Sequence, residues 1–286
     1  MKDNIIVLEN KCCGCLACKN VCPNDAITTE FRNGFCYPFV HDDKCIHCGL
    51  CIDVCPIFNT TELLKHENNS NTYIGFNKNS SINRHSTSGG IFPELSMAVY
   101  TQGGYIYGAI FDNELKVIHV RADDIADAKK FSKSKYVQSD ISGIYSMISD
   151  DLNRGKKVLF SGTPCQCASI KKFLNSRKIN QYNLYLVDIL CYGVPSPKVF
   201  LDHLGYIEKK FASVVEYDFR DERNGRTQNY IHSALLSDGT ELYDNDLLQA
   251  FHRLYGNRLN MRESCFSCPF ATVKRCTDIT IGDCWG

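Results

Sequence analysis

The sequence predicts a chain of α+β and α/β character in two parts, a small cysteine-rich domain followed by a larger mixed α/β domain. Two observations support this division. Ten of the 17 cysteines fall before residue 56, and the chain beyond residue 72 alternates short apolar runs with helical patterns. We therefore expect the small domain over 1–60, a polar linker over 61–72 and the larger domain over 73–286.

The cysteines of the small domain form two runs with the same spacing, Cys-x-x-Cys-x-x-Cys-x-x-x-Cys-Pro. This is the ligand spacing of bacterial-type ferredoxins with two 4Fe–4S clusters, in which the fourth cysteine of each run ligates the other cluster. The predicted ligands of one cluster are Cys12, Cys15, Cys18 and Cys55. Those of the second cluster are Cys45, Cys48, Cys51 and Cys22. A pair of zinc sites is the alternative, but tetrahedral zinc has no use for a third cysteine at the same spacing.

Composition and charge argue against several classes of function. The chain has 32 Lys and Arg against 32 Asp and Glu, so no net field favours nucleic acid or a membrane surface. No apolar run approaches the ~18–20 residues of a membrane span, and the apolar start at 5–8 is too short for a signal peptide. We therefore expect a cytoplasmic protein whose cysteines bind metal, and, since exposed clusters are oxidised, an anaerobic setting.

Within the small domain, a unit of ~60 residues buries too little apolar surface to be robust alone, so metal binding is expected to supply the missing core.

In the larger domain, the predicted strands are 105–111, 115–120, 158–160, 184–191 and 213–219, with a hairpin over 231–243. The predicted helices are 92–100, 124–131, 141–153, 164–174, 196–210 and 247–254. The last stretch, 279–286, is an apolar strand that stops at Trp-Gly, which suggests a truncated chain.

Seven cysteines lie in the larger domain. Cys265 and Cys268 form a lone Cys-x-x-Cys pair, which fits half a zinc site, a redox dithiol or half of a third iron–sulfur cluster. Cys165 and Cys191 each follow a predicted strand, so both are expected at one edge of a sheet.

Several motifs of the larger domain resemble one family, the coenzyme F(420) hydrogenase/dehydrogenase beta subunits. They are Phe-Ser-Gly-Thr-Pro-Cys-Gln at 160–166, the segment 187–198 through Cys-Tyr-Gly-Val-Pro-Ser-Pro-Lys, Ser-Cys-Phe-Ser-Cys at 264–268, Asp-Ile-Thr-Ile-Gly-Asp-Cys-Trp-Gly at 278–286, and the segments 86–90 and 134–139. The resemblance covers nearly the whole chain. It implies an FAD-binding α/β domain with its own 4Fe–4S cluster, whose ligands here would be Cys165, Cys191, Cys265 and Cys268.

The chain departs from the family pattern at two positions. Tyr192 stands where the family usually has His, which weakens any proton-transfer role there. Cys284 stands where the family usually has an aromatic residue, which makes it a rival cluster ligand. Chains of this family normally continue past the Trp-Gly, so the resemblance also implies that part of the flavin domain is missing.

Two glycine-containing segments are the predicted FAD contacts. Ser88, Gly89 and Gly90 precede one helix, and Gly162 and Thr163 precede another, where backbone amides can approach a phosphate. The alternative for each is an ordinary helix cap, and neither carries the Gly-Lys-Ser/Thr of a Walker A loop. Lys135 is a further candidate. It either contacts the FAD, at the isoalloxazine or at a phosphate, or is a solvated surface residue.

The remaining cysteines receive structural interpretations. Cys13 and Cys36 are surplus to the two clusters and are expected to pack near them. Cys167 is expected in the core. Cys276 lies in a basic turn and could be a reactive thiol.

The resulting prediction is an iron–sulfur flavoprotein oxidoreductase. It would relay electrons between ferredoxin-type 4Fe–4S clusters and FAD, and on to a deazaflavin or another two-electron acceptor. The expected partner is a ferredoxin or another redox subunit, and the sequence isolates no catalytic acid or base. One alternative is a non-catalytic electron-transfer subunit of a larger redox complex. A second is a redox sensor, which no DNA-binding helix or basic stripe supports.

Overall fold

The structure is a computed structural model that describes residues 10–64, 71–223 and 230–284. The small domain contains the helices α1 (Ala17–Val21), α2 (Leu50–Asp53) and α3 (Thr60–Leu63), and the strands β1 (Ile27–Arg32) and β2 (Phe35–Val40). The two strands pair antiparallel across a two-residue turn, Asn33-Gly34, in which both residues have positive φ. This conformation suits the twist of a tight hairpin, and Asn-Gly is its preferred sequence.

The larger domain continues the chain with helices, strands and short 3₁₀ turns. Its helices are α4 (Ser80–Arg84), α5 (Ile91–Tyr100), α6 (Ile125–Ala128), α7 (Tyr145–Asn153), α8 (Pro164–Ser176), α9 (Pro197–Glu208) and α10 (Asp246–Gly256), with 3₁₀ helices at Lys129–Ser132 and Glu263–Ser267. Its strands are β3 (Tyr105–Phe111), β4 (Val117–Ala122), β5 (Val158–Gly162), β6 (Leu184–Ile189), β7 (Val214–Asp218), β8 (Ser233–Leu236), β9 (Glu241–Tyr243) and β10 (Ile279–Ile281).

A five-stranded sheet with the order β10-β6-β5-β3-β4 organises the larger domain. All neighbouring strands are parallel except β4, which pairs antiparallel with β3. The carboxyl ends of β5, β6 and β10 therefore open onto one edge, near Gly162, Leu190 and Gly282. This is the edge at which open α/β sheets bind ligands.

The small domain packs on the helical layer that covers one face of this sheet. Helix α1 contacts α7 and α8, and α2 contacts α8. One apolar cluster runs continuously from Val21 and Val54 of the small domain through Ile148 and Phe173 to Phe160 of the sheet. The small domain therefore shares its core with the larger one, which compensates for the little surface it can bury alone.

A second, antiparallel sheet with the order β7-β8-β9 lies against α9 and α10. Its core is aromatic: Phe200, Phe219 and Phe251 pack within 5.9 Å of one another, centroid to centroid. The opposite face of the main sheet is covered by α5, through Phe92 and Val99. The larger domain thus has separate cores on the two faces of the main sheet and under the second sheet.

Most predicted elements are present, with shifted ends. The hairpin of β3 and β4 is confirmed, although β4 begins at Val117 instead of 115. The helix expected over 141–153 begins only at Tyr145, and the one expected over 124–131 is a single α turn, α6, followed by a 3₁₀ turn. Helix α3 occupies the start of the stretch expected to be a linker, of which 65–70 lie outside the described residues. In the parts of the chain that the structure describes, no helix has the length and apolar character to cross a membrane.

Candidate iron–sulfur sites

The first predicted ligand set surrounds one cavity at the junction of the two domains. Its lining contains all four members, Cys12, Cys15, Cys18 and Cys55, beside apolar residues such as Leu16 and Ile57. The second predicted set, Cys22, Cys45, Cys48 and Cys51, lines a separate cavity. The structure thus groups the fourth cysteine of each run with the first three cysteines of the other run. This grouping fits two clusters with crossed ligands.

The cysteines of each set surround a cavity. Cysteine thiolates are the ligands that hold 4Fe–4S clusters, so the donor chemistry fits such clusters. The assignment of individual ligands stays a prediction.

Left-handed backbone residues shape both ligand loops. Gly14 and Leu16 have φ of +72° and 59°, and Gly49 and His47 have φ of +78° and 53°. Such turns direct backbone amides toward the enclosed sulfur atoms. The amide of Gly14 donates to Cys12 Sγ at 3.4 Å, and the amide of Ala26 donates to Cys22 Sγ at 3.3 Å. Amide hydrogen bonds to ligand sulfurs are one of the means by which proteins set cluster potentials.

The two sets differ in their exposure to solvent. In the second set Cys48 is exposed and the other three cysteines are half-buried. In the first set Cys18 and Cys55 are buried, and burial raises the pKa of Cys55 to about 12. The second set is therefore the more exposed of the two.

The four cysteines that the family resemblance implies as a third set also lie together. Cys165 is in the first turn of α8, Cys191 follows β6, and Cys265 and Cys268 lie in and just after the 3₁₀ helix Glu263–Ser267. Burial raises the pKa of Cys191, and the charges of Cys165 and Cys265 raise it further. The same effects, burial first and then Cys165 and Cys268, raise the pKa of Cys265 to about 11. Such mutual electrostatic influence requires proximity.

The rival ligand Cys284 follows β10 and is exposed. Cys165, Cys191, Cys265 and Cys268 are half-buried. The choice between Cys284 and the four cysteines that the resemblance implies stays a prediction.

Cys13, which we expected to be a packing residue, lies near both the first and the third set. Interaction with Cys15 and Cys165 raises the pKa of the Cys13 thiol and lowers the pKa of Cys165. The carbonyl oxygen of Cys13 accepts a hydrogen bond from Gln138 of the larger domain at 2.9 Å. Cys13 is therefore held at the domain junction.

The glycines predicted to cradle FAD are closely packed against their own chain. A Cβ atom on Gly89 would lie 2.7 Å from the carbonyl oxygen of Gly75, and the amide of Asn77 donates to Gly89 at 2.6 Å. A Cβ atom on Gly162 would lie 2.9 Å from the ring of Phe160. The room beside these glycines is thus occupied by protein atoms, and Ser88 and Gly90 precede α5 in the same closed loop.

Thr163 caps α8 and forms a capping box with Gln166, whose side chain accepts from the Thr163 amide at 3.0 Å. The Thr163 hydroxyl also lies 3.2 Å from Cys165 Sγ. These contacts occupy the Thr163 amide, and FAD binding by the predicted residues stays a prediction.

Lys135 is half-buried. Its ammonium group donates to the carbonyl oxygens of Lys130 and Lys133, at 2.9 Å each, and burial lowers its pKa to about 8. It lies close enough to the buried His119 for its charge to contribute to the lowered pKa of that imidazole. Both interpretations of Lys135, a flavin or phosphate contact and a surface residue, stay predictions.

Burial bears on the interpretation of two further cysteines. Cys167 is buried, as expected, and its thiol faces the carbonyl oxygen of Val187 at 3.7 Å. Cys276 is also buried, and burial raises its pKa to about 11. Because the thiolate is the reactive form, the interpretation of Cys276 as a reactive thiol is wrong.

Sequence reasoning missed the side chains that hold the domain junction. Arg262 donates to the carbonyl oxygen of Cys12 at 2.6 Å, Gln138 donates to that of Cys13 at 2.9 Å, and Tyr145 donates to that of Cys15 at 2.9 Å. These residues are 125 to 250 positions away from their partners along the chain. Only the position of Arg262, three residues before Cys265, could have drawn attention to it.

Two family models match the chain. Residues 11–59 match the 4Fe-4S dicluster domain. Residues 155–286 match the C terminus of the beta subunit of coenzyme F420 hydrogenase/dehydrogenase. The first match contains the first and second cysteine sets and the second match contains the third set. No match was found among curated proteins.

Thirteen chains of solved structures match this chain. One belongs to the F420-reducing [NiFe] hydrogenase complex from Methanosarcina barkeri, in a xenon-derivatized structure. The two chains are 17% identical with a TM-score of 0.42, and the match covers 63% of this chain and 62% of that chain. This similarity is too weak to transfer any property of the complex.

Proposed function

We propose that this chain, which combines a 4Fe–4S dicluster domain with the C-terminal domain of the coenzyme F420 hydrogenase/dehydrogenase beta-subunit family, is an electron-transfer protein with three 4Fe–4S sites in series. The observation that carries the proposal is the hydrogen bond of Arg262, three residues before Cys265, to the carbonyl oxygen of Cys12 at 2.6 Å. It holds the first cysteine loop of the dicluster domain next to the Cys265 segment of the larger domain.

The cysteines would hold the three clusters, each of which supplies a one-electron carrier when bound. The protein contributes burial, hydrogen bonds and order in space. The second set is exposed at Cys48, the first set has Cys18 and Cys55 buried, and the cysteines of the third set belong to the larger domain. A soluble redox partner would reach the second set at the surface.

Side chains at the domain junction hold the first ligand loop in place. Tyr145, Gln138 and Arg262 bind three carbonyl groups of the first ligand loop, at Cys15, Cys13 and Cys12. A loop held at several points changes little in shape, and a constant distance between neighbouring centres favours fast electron exchange. The expected partner is a ferredoxin or another redox subunit.

A second, finer function is that of a flavoprotein oxidoreductase that passes electrons through FAD to a deazaflavin or another two-electron acceptor. The description of the matched C-terminal family, a coenzyme F420 hydrogenase/dehydrogenase beta subunit, favours it. The closed glycine loops at 88–90 and 162–163 argue for the simpler relay. No residue of this chain is assigned a catalytic role.

Cofactor content separates these functions. The experiment is quantitation of iron, acid-labile sulfide and flavin on anaerobically purified protein, with visible absorption before and after dithionite. About twelve irons per chain support the three-site proposal, and about eight irons contradict it at the third set. Flavin near one equivalent that bleaches on reduction favours the oxidoreductase, and its absence favours the relay. Zinc in place of iron, without visible absorption that dithionite diminishes, would contradict both proposed functions.

A further inference from the structure

Arg262 is a fully buried cation at the junction of the first and third cysteine sets. Its guanidinium group donates to the carbonyl oxygens of Cys12 at 2.6 Å and Cys36 at 3.1 Å, and to Gln138 Oε1 at 3.0 Å. It also lies over the ring of Tyr37, 4.1 Å from the centroid. All of these partners are neutral.

The backbone of Arg262 belongs to the loops of the third set. Its amide donates to Val194, three residues after Cys191, and its carbonyl oxygen accepts from the amide of Cys265, at 3.0 Å in both cases. The residue therefore spans the two sites, with its main chain among the third set and its charge against the first ligand loop.

Gly14 shows how closely the guanidinium approaches this loop. A Cβ atom at Gly14 would lie 2.7 Å from Arg262 Nη1 and 2.7 Å from Gln138 Nε2. Any larger residue would displace these side chains. The absence of a side chain at Gly14, between Cys12 and Cys15, thus leaves room for the positively charged guanidinium group.

Arg262 differs from Arg275 in its charge partners. Among the described residues no Asp or Glu forms an ion pair with it, whereas Arg275, near the third set, pairs with Asp188 at 3.5 Å. A buried, uncompensated cation is costly, so one is expected only where another negative charge balances it. A four-iron core bound by four thiolates carries net negative charge, and two such groups would lie on either side of Arg262.

We propose that Arg262 is the shared counter-cation of the first and third cysteine sets and raises the reduction potentials of both clusters. Reduction adds a negative charge to a cluster, and a nearby buried cation stabilises the reduced form more than the oxidised form. The exposed second set is screened by solvent and shifts little. This inference rests on the proposed function, but its effect on the first set does not require the third.

The test is an anaerobic redox titration, followed by electron paramagnetic resonance, of the full chain and four variants. Arg262→Gln removes the charge. Arg262→Lys keeps the charge but loses the planar donor set. Gln138→Glu places a carboxylate 3.0 Å from the guanidinium at nearly constant volume. Arg253→Gln, in which the replaced side chain is 58% exposed, is the matched control. Iron content is measured for every preparation.

We expect Arg262→Gln and Gln138→Glu to shift the potentials of the first and third clusters downward, with the second cluster unchanged. Arg262→Lys should keep potentials close to those of the parent protein, and Arg253→Gln should be silent. If Arg262→Gln loses iron, Gln138→Glu and Arg262→Lys decide the question. Unchanged potentials in Gln138→Glu, or equal shifts in the Gln and Lys variants, would overturn the proposal and leave Arg262 as a structural clamp.

The proposed function can fail separately from this inference. A parent protein with about eight irons lacks the third cluster, yet the first cluster should still respond to Arg262→Gln. A parent protein with about twelve irons, whose reduction potentials do not change in Gln138→Glu, would support the proposed function and contradict the role proposed for Arg262.

Discussion

The hydroxyl group of Tyr145 donates a hydrogen bond to the carbonyl oxygen of Cys15 across the domain junction, at 2.9 Å. The same hydroxyl lies 2.7 Å from Ser169 Oγ, so α7, α8 and the first ligand loop share one buried polar contact. Tyr145 is fully buried, and its ring packs on Phe173 at 4.8 Å. The cluster-binding loop is therefore fixed by helices of the other domain.

Replacing Tyr145 with Phe should weaken the docking of the first ligand loop. The ring and its packing remain, but a buried carbonyl oxygen loses its donor, which costs about 1–3 kcal/mol. Hydrogen exchange of the amides at 12–18 and thermal unfolding under anaerobic conditions measure the effect. Tyr182→Phe is the control, since Tyr182 is 87% exposed and should change stability by less than about 0.5 kcal/mol. Equal behaviour of the two variants would contradict the role of this hydrogen bond.

The crossed grouping of cysteines predicts which cluster each fourth cysteine serves. Cys55→Ser should perturb the cluster held by Cys12, Cys15 and Cys18, and Cys22→Ser should perturb the other, because each lines the opposite cavity. Redox titration followed by electron paramagnetic resonance distinguishes the buried centre from the exposed one. Cys36→Ser, outside both sets, should leave both signals intact. A signal lost from the cluster of the same run would show that the ligands are not crossed.

We expect opposite effects on the iron content of the third site from serine variants of Cys268 and Cys284. Cys268→Ser should lower the iron content by up to about four atoms per chain, since Cys268 lies among the charges of Cys165 and Cys191. Cys284→Ser should leave it unchanged because Cys284 is exposed, whereas Cys268 is half-buried. Iron and sulfide quantitation on matched anaerobic preparations decides between them. Iron loss in Cys284→Ser alone would exchange their roles.

Buried histidines predict a loss of stability in mild acid. Burial lowers the pKa of His119 and of His203 from the ordinary value of 6.5 to about 4. Below pH 6.5 the unfolded chain binds protons that the folded chain does not bind until about pH 4, so stability falls as the pH falls through this interval. Above pH 6.5 the contribution is fully present.

The melting temperature of anaerobic protein between about pH 7.5 and about pH 5 measures this effect. His203→Phe removes one of the titrating groups and keeps an aromatic ring beside Phe200 and Tyr217. Tyr217 retains its contact with His232 at 2.9 Å, so its hydroxyl is not orphaned. The variant should show a shallower decline toward acid than the parent protein. Identical slopes would assign the acid sensitivity to other groups.

The sequence alone could predict the local chemistry. Ligand spacing within a single loop is a property of consecutive residues, so the two cysteine runs could be recognised and their crossed grouping anticipated. The alternation of strands and helices likewise predicted the mixed α/β domain, as in the hairpin of β3 and β4. The ends of α6 and α7 were less predictable because tertiary contacts, not propensity, decide where a helix begins.

Only the tertiary structure decided what lies between the sites. Whether the small domain stands apart on a linker or shares a core with α7 and α8 depends on contacts between residues more than a hundred positions apart, as between Tyr145 and Cys15. The burial of Cys276 and the closure of the Gly89 loop depend on the same distant packing. A sequence pattern records which side chains a segment offers, whereas burial and electrostatic surroundings arise only when separate segments meet.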